Sequence, residues 1–143
     1  MKKFILKLLR SRRKKLMMKI KDWFKAYINM GLFRYMQGRD RPIPCNAGTD
    51  SFFVDPWGKV IACNGSEEPW VMGDLSAQDF DEIWHSEQAD SVRELVRDCK
   101  RNCWMTGTSV PAMRRKFWLP FSWVVRNKIR ILMGKKIVLD QDL

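Results

Sequence analysis

Four cysteines in the pattern Cys45-x17-Cys63-x35-Cys99-x3-Cys103 constrain this chain more than any other feature. The first two bracket a segment, PCNAGTDSFFVDPWGKVIACNG, that reads as a single β-hairpin. Asp55-Pro56-Trp57-Gly58 places Asp, Pro and Gly at the first, second and fourth positions of a type I turn. Gly58 supplies the left-handed conformation that a bulge onto the return strand needs. Strands are expected over 51–54 and 59–63, so that Cys45 precedes the hairpin and Cys63 closes it. Ser86 reads as the N-cap of a helix with Glu87 and Asp90 in its first turn, where negative charge suits the helix dipole. Ala89, Val92, Leu95 and Val96 form its apolar stripe, and it delivers Cys99 at its end and Cys103 just beyond.

The hairpin and the helix end can converge, so one four-thiolate site is geometrically reasonable. No signal peptide is expected, because the apolar run of KKFILKLLRSRRKK is broken by Lys7 and Arg10 and no small-residue cleavage site follows. The longest uncharged stretch, 102–113, is too short and too polar to span a bilayer. A cytoplasmic location is therefore expected, where thiols stay reduced and disulfides are disfavoured. A [4Fe–4S] cluster takes widely spaced thiolates from different elements. Zinc remains open, although it usually takes at least one tight C-x2-C knuckle and none is present. Four unrelated buried cysteines also remain open.

Charge divides the chain in three. Residues 1–44 carry 14 Lys/Arg against 2 Asp/Glu, residues 45–110 carry 5 against 12, and residues 111–143 carry 8 against 2. An acidic centre holding every cysteine thus lies between two basic arms. The first arm, 1–44, reads as a long amphipathic helix over 2–36 with a linker. Five consecutive polar residues at 11–15 allow a break, Gly31 and Gly38 suggest fraying or a turn, and Pro42 and Pro44 end the helix. Its apolar stripe is a candidate docking face. The stretch 64–78 reads as loop, followed by a short helix capped by Ser76 with Phe80, Ile83 and Trp84 on one face. The tail, 111–143, has Pro111 and Pro120 around a basic–aromatic stretch, a helix over 123–133, and KKIVLD (135–140) as a short strand.

Together, the Cys-x-Ala-Gly start at 45–48, VDPWGKV, Cys63, MGDLS at 72–76, FDEIWHS at 80–86 and the closing cysteine pair resemble the SPASM/twitch domains found at the C-terminus of many radical SAM enzymes. The resemblance covers about residues 40–112. It implies an α+β fold: a small hairpin plus helices around a four-cysteine site, flanked by basic amphipathic helices. It implies one auxiliary [4Fe–4S] cluster bound by Cys45, Cys63, Cys99 and Cys103. No cysteine follows Cys103, so the one-cluster twitch form is implied. The closing pair is C-x3-C, where the family often has C-x2-C.

Radical SAM chemistry also needs a C-x3-C-x2-C loop, which leaves one iron open for S-adenosylmethionine. CKRNCWMT comes near, with Thr106 at the third position, but only 37 residues follow and no barrel fits there. S-adenosylmethionine is therefore expected only through a separate barrel domain or partner, and this polypeptide is not expected to be catalytic alone. The expected partners are a radical SAM barrel protein or domain and, through it, a peptide or small-molecule substrate. Electron transfer, lining a substrate cavity and a structural role are the functions implied.

Two other classes fit less well. With 27 Lys/Arg and a pI of about 9.8, Phe117, Trp118 and Trp123 are candidates for stacking on bases. Packing of these rings onto the domain is the preferred reading. An anionic membrane surface under the N-terminal helix ranks below docking on protein. His85, Asp55, Asp74 and Glu82 read as helix-end, turn, loop and helix-surface residues rather than as catalysts.

Overall fold

The computed structural model describes residues 1–66 and 68–139. In chain order its elements are α1 (Lys2–Leu9), α2 (Leu16–Met36), β1 (Phe53–Val54), β2 (Lys59–Ile61), β3 (Val71–Asp74), α3 (Phe80–Trp84), α4 (Glu87–Asp98), α5 (Thr106–Arg115) and α6 (Trp118–Leu132). The fold is α+β. It comprises two compact units, one of Met1–Ile43 with Arg101–Leu143, the other Pro44–Lys100.

The first unit is helical. The polar run 11–15 does break the N-terminal helix, and Asp22 on α2 closes the corner. Its carboxylate accepts from the Ser11 hydroxyl and lies 3.0 Å from Arg13 Nε. These partners account for an acid that is only 6% exposed. Ile5 and Leu9 of α1, Ala26, Tyr27 and Met30 of α2, Ala112 and Met113 of α5, and Trp123 and Val124 of α6 share one core with Ile43 and Trp104. Much of the stripe read as a docking face is thus occupied inside the unit. Tyr27 meets the edges of Trp104 and Trp123, with ring centroids 6.4 and 5.6 Å away. Gly31 is a packing position within α2 rather than a point of fraying. The Trp104 indole lies over it, and a Cβ there would fall 2.2 Å from the ring.

The tail departs from its sequence reading. Pro111 lies inside α5, and Pro120 lies in the first turn of α6. In a first turn the missing proline N–H would have had no helical partner in any case. Residues 135–139 form no strand, and Asp140, the last residue of that expected strand, lies outside the described residues. Instead buried Asn127 brackets the Val138 backbone, its Oδ1 accepting from Val138 N at 2.7 Å and its Nδ2 donating to Val138 O at 3.1 Å. A side-chain amide there does the work of a neighbouring strand.

The second unit is a three-stranded antiparallel sheet of order β1-β2-β3 carrying α3 and α4. The hairpin turn forms as its residues dictate. Asp55 Oδ1 accepts from Trp57 N (2.9 Å) and Lys59 N (2.8 Å), and Gly58 takes φ +86°. β3 arises in the stretch read as loop. It pairs with β2 with a register shift, Val60 facing Gly73 and Ile61 facing Val71, which leaves Met72 as the extra residue. Met72 is buried with Ala47, Val60, Ala62, Ile83, Ala89, Val92 and Val96.

The N-cap of α3 is Asp79, not Ser76, with Glu82 completing the capping box. Ser76 is instead engaged by Asp74. Ser86 caps α4 as expected, accepting from Ala89 N at 3.1 Å. Leu95 is 52% exposed and leaves the stripe to Ala89, Val92 and Val96.

Gly73 permits α3 to sit directly on β3. A Cβ there would lie 2.6 Å from Ile83 Cγ1. Gly73→Ala is therefore expected to destabilise this unit by about 1–3 kcal/mol, the usual effect of overpacking. Urea titration checks this, and a paired Ile83→Val change should recover part of the loss.

Candidate functional site

Cys45 opens a tightly closed loop. Gly48 N donates to Ser51 O at 2.7 Å, Asp50 N donates to Asn46 O at 2.9 Å, and Asn46 Nδ2 donates to Asp50 Oδ2 at 2.9 Å. The loop is fastened from outside by Arg93, a residue the pattern of cysteines gives no reason to single out. Its Nε donates to Gly48 O (2.8 Å) and its Nη2 to Trp84 O (2.7 Å), while Nη1 pairs with Asp90 (2.7 Å). The guanidinium also lies 4.7 Å from the Trp84 ring. One arginine on α4 thus fixes the cysteine-bearing loop and the end of α3. An arginine placed one residue after the Val92 of a buried stripe was the available signal.

Cys63 follows β2 by two residues. Its Sγ accepts from Gly65 N at 3.3 Å, and its carbonyl accepts from the Ser66 hydroxyl at 3.2 Å. Cys45 and Cys63 pack against the same small core, as do Trp70, Phe80 and Trp84. Cys99 is the C-cap residue of α4, the helix whose Val92 and Val96 enter that core. Cys103 belongs to the helical unit, next to Trp104, whose Nε1 donates to Ile28 O at 2.8 Å. Arg41 Nη1 lies 4.0 Å from Cys103 Sγ. None of the four cysteines is in a disulfide, and all are partly buried. Among the described residues, no three His, Cys, Asp or Glu side chains gather into a one-ion site.

As a donor set these residues suit an iron–sulfur cluster. None of the four cysteines is in a disulfide, and N–H groups lie near the sulfurs of Cys63 and Cys103. Hydrogen bonds to ligating sulfur and exclusion of solvent are the levers by which a protein tunes such a cluster.

The remaining candidates are structural. His85 is the C-cap residue of α3, exposed, its Nδ1 2.8 Å from Asp81 O. Asp55 holds the hairpin turn, and Glu82 Oε2 accepts from Asp79 N at 3.2 Å. Asp74 accepts from the hydroxyl and the backbone N–H of Ser76, and these bonds, in that order, hold its carboxyl below the usual carboxylate range, with Lys59 adding to them against a small opposing effect of burial. A lowered folded-state pKa means that this stabilisation persists through neutral pH and fades only as pH falls below that range. Of the three rings considered for base stacking, Trp123 is 2% exposed and donates to Val138 O, so it is core. Phe117 and Trp118 are half exposed and meet edge to face. No helix among the described residues is long and apolar enough to cross a membrane.

Residues 45–104 match the SPASM family, described as an iron–sulfur cluster-binding domain. The match begins on the first cysteine and ends one residue past the last. No curated protein and no solved structure matches the chain.

Proposed function

From the SPASM iron–sulfur cluster-binding domain at residues 45–104, we propose that the chain binds one auxiliary [4Fe–4S] cluster through Cys45, Cys63, Cys99 and Cys103. It does so as the twitch-type portion of, or a partner to, a radical SAM enzyme. The observation that carries this reading is the family match, which takes in all four cysteines of the chain. The proposed organisation is a cluster domain over 45–110 between a basic helical arm (1–44) and a basic aromatic tail (111–143).

When bound, the cluster would supply a one-electron relay, and its binding would contribute folding energy. The chain's own residues do the rest. The loop 45–51, held by Arg93, fixes Cys45. The Gly65 N–H donates to Cys63 sulfur, and the Arg41 guanidinium lies beside Cys103 sulfur. Cys45 and Cys63 are themselves partly buried against the small core of their unit. Four thiolates leave no iron open to a substrate, so electron transfer, support of a neighbouring substrate cavity and structural bracing are the roles that fit. S-adenosylmethionine would be bound by a separate barrel domain or protein. The place of action is proposed to be the cytoplasm, where free thiols persist.

Metal analysis of the chain purified without oxygen tests this. Iron with matching acid-labile sulfide is expected. One zinc per chain and no sulfide would replace the reading with a structural zinc module. Absence of metal together with tight RNA binding and a steep salt slope would replace it with a nucleic-acid-binding protein.

A further inference from the structure

A helix on the surface of a globular protein ordinarily has one apolar stripe; α6 has two. Pro120, Trp123 and Val124 face the core of the helical unit with Asn127. On the opposite side Trp118, Phe121, Val125, Ile129, Leu132 and Met133 follow one another at short helical steps and are 38–86% exposed. At about 100° per residue they fill an arc of roughly 120° in which Ser122 is the one polar member. Arg126 borders one edge of the arc, next to Arg130, whose Nε donates to Lys136 O at 2.9 Å; at the other edge Lys128 turns its ammonium to Leu9 O and the Trp23 ring.

We propose that this face of α6 docks the protein onto an anionic lipid surface. The apolar arc lies among the headgroups and upper acyl chains, with Arg126 on a lipid phosphate. Aromatic and aliphatic residues on one face with Arg and Lys at its borders are what an interfacial helix requires. With 15 residues, α6 is too short to span a bilayer and suits its surface.

Charge complementarity argues for the same partner. The described part of this unit carries 23 Lys and Arg against two acids, Asp22 and Asp40, and Asp22 is already paired with Arg13. Just beyond α6, an open cavity of about 650 Å³ is lined by Lys2, Lys3, Arg10, Arg39, Lys135 and Lys136, with no acid among its described residues. Its size and charge suit a phosphate headgroup. A nucleic acid would match the charge but leave Val125, Ile129 and Leu132 without a ring to stack on. A protein would have to offer an acidic and an apolar surface together, whereas an anionic bilayer presents both everywhere. In the N-terminal region, the earlier membrane candidate, α1 turns Ile5 and Leu9 inward and leaves Phe4 exposed, and the exposed apolar residues of α2 lie at its two ends, whereas those of α6 run the length of the helix.

The test is co-sedimentation of the full chain with phosphatidylcholine vesicles, with and without phosphatidylglycerol. Binding to the phosphatidylglycerol vesicles alone is expected, with a blue shift of tryptophan emission that Trp118→Phe removes. Val125→Asp and Leu132→Asp should each weaken binding about tenfold or more, and Arg126→Gln about fivefold. These side chains are exposed, so helical circular dichroism should not change, which separates lost binding from lost folding. The proposal is overturned by no binding, by equal binding to neutral vesicles, by undiminished binding of the two aspartate variants, or by tighter binding to single-stranded RNA than to the anionic vesicles.

Discussion

Replacing Cys45 or Cys63 with serine is expected to remove most of the bound iron and to unfold the sheet-bearing unit well below the melting temperature of the intact protein. On the proposed reading each thiolate would hold one corner of the cube, and serine offers a harder oxygen of much higher pKa. The structural cost follows from size. The unit Pro44–Lys100 is shorter than the roughly 70–80 residues below which a core alone rarely suffices. Its buried core is made largely of alanine and valine, with Met72 and Ile83 the bulkiest members. On the proposed reading metal binding would then be a main source of its stability. Cys99→Ser and Cys103→Ser should lose iron as well. His85→Ala is the control, since that ring is exposed and bonds locally to Asp81 O, and it should keep its iron. Iron content and thermal melts under nitrogen read both effects. Full iron in all four serine variants would remove the cysteines from the site.

The second large effect is expected in the helical unit. Gly31→Ala should cost about 1–3 kcal/mol, because a methyl group cannot share space with the Trp104 ring 2.2 Å away. Trp104→Ala should cost about 3–5 kcal/mol, since it empties a site contacted by Tyr27 and deletes the bond to Ile28 O. Urea unfolding followed by helical circular dichroism measures both. Trp104 also adjoins Cys103, so both variants should retain less iron than wild type. Pairing Gly31→Ala with Trp104→Leu should recover part of the first loss. A Gly31→Ala protein of unchanged stability would contradict the packing described.

What could be read in the sequence was what local chemistry decides. The Asp-Pro-Trp-Gly turn, the polar break at 11–15, the Ser86 cap and the placing of Cys99 at the end of α4 all depend on neighbours within a few residues, and all four appear. β3 was not legible because Val71-Met72-Gly73-Asp74 is short, contains glycine and bulges. It becomes a strand through β2 alongside it and Ile83 above it. Pro111 and Pro120 both lie within helices. They are tolerated because α6 begins just before Pro120 and α5 is held by Ala112 and Met113 in the core.

Gly31 could not be recognised as a packing position, since its partner Trp104 lies far along the chain. The same holds for Arg93 and Asn127, whose acceptors are backbone carbonyls that a sequence does not display. The SPASM pattern was legible because its pieces keep fixed order and spacing, and the family match over 45–104 bears out that recognition. The radical SAM partner and the assignment of each ligand stand on the proposal.

The central claim is that one four-iron cluster is held by the thiolates of this chain. A Mössbauer spectrum of the protein reconstituted anaerobically with isotopically enriched iron tests it most directly, alongside iron and sulfide counts. The expected result is about four iron and four sulfide per chain, with the averaged-valence signature of an all-thiolate [4Fe–4S] cluster. A single tetrahedral ferrous site, or iron bound without sulfide, would contradict it.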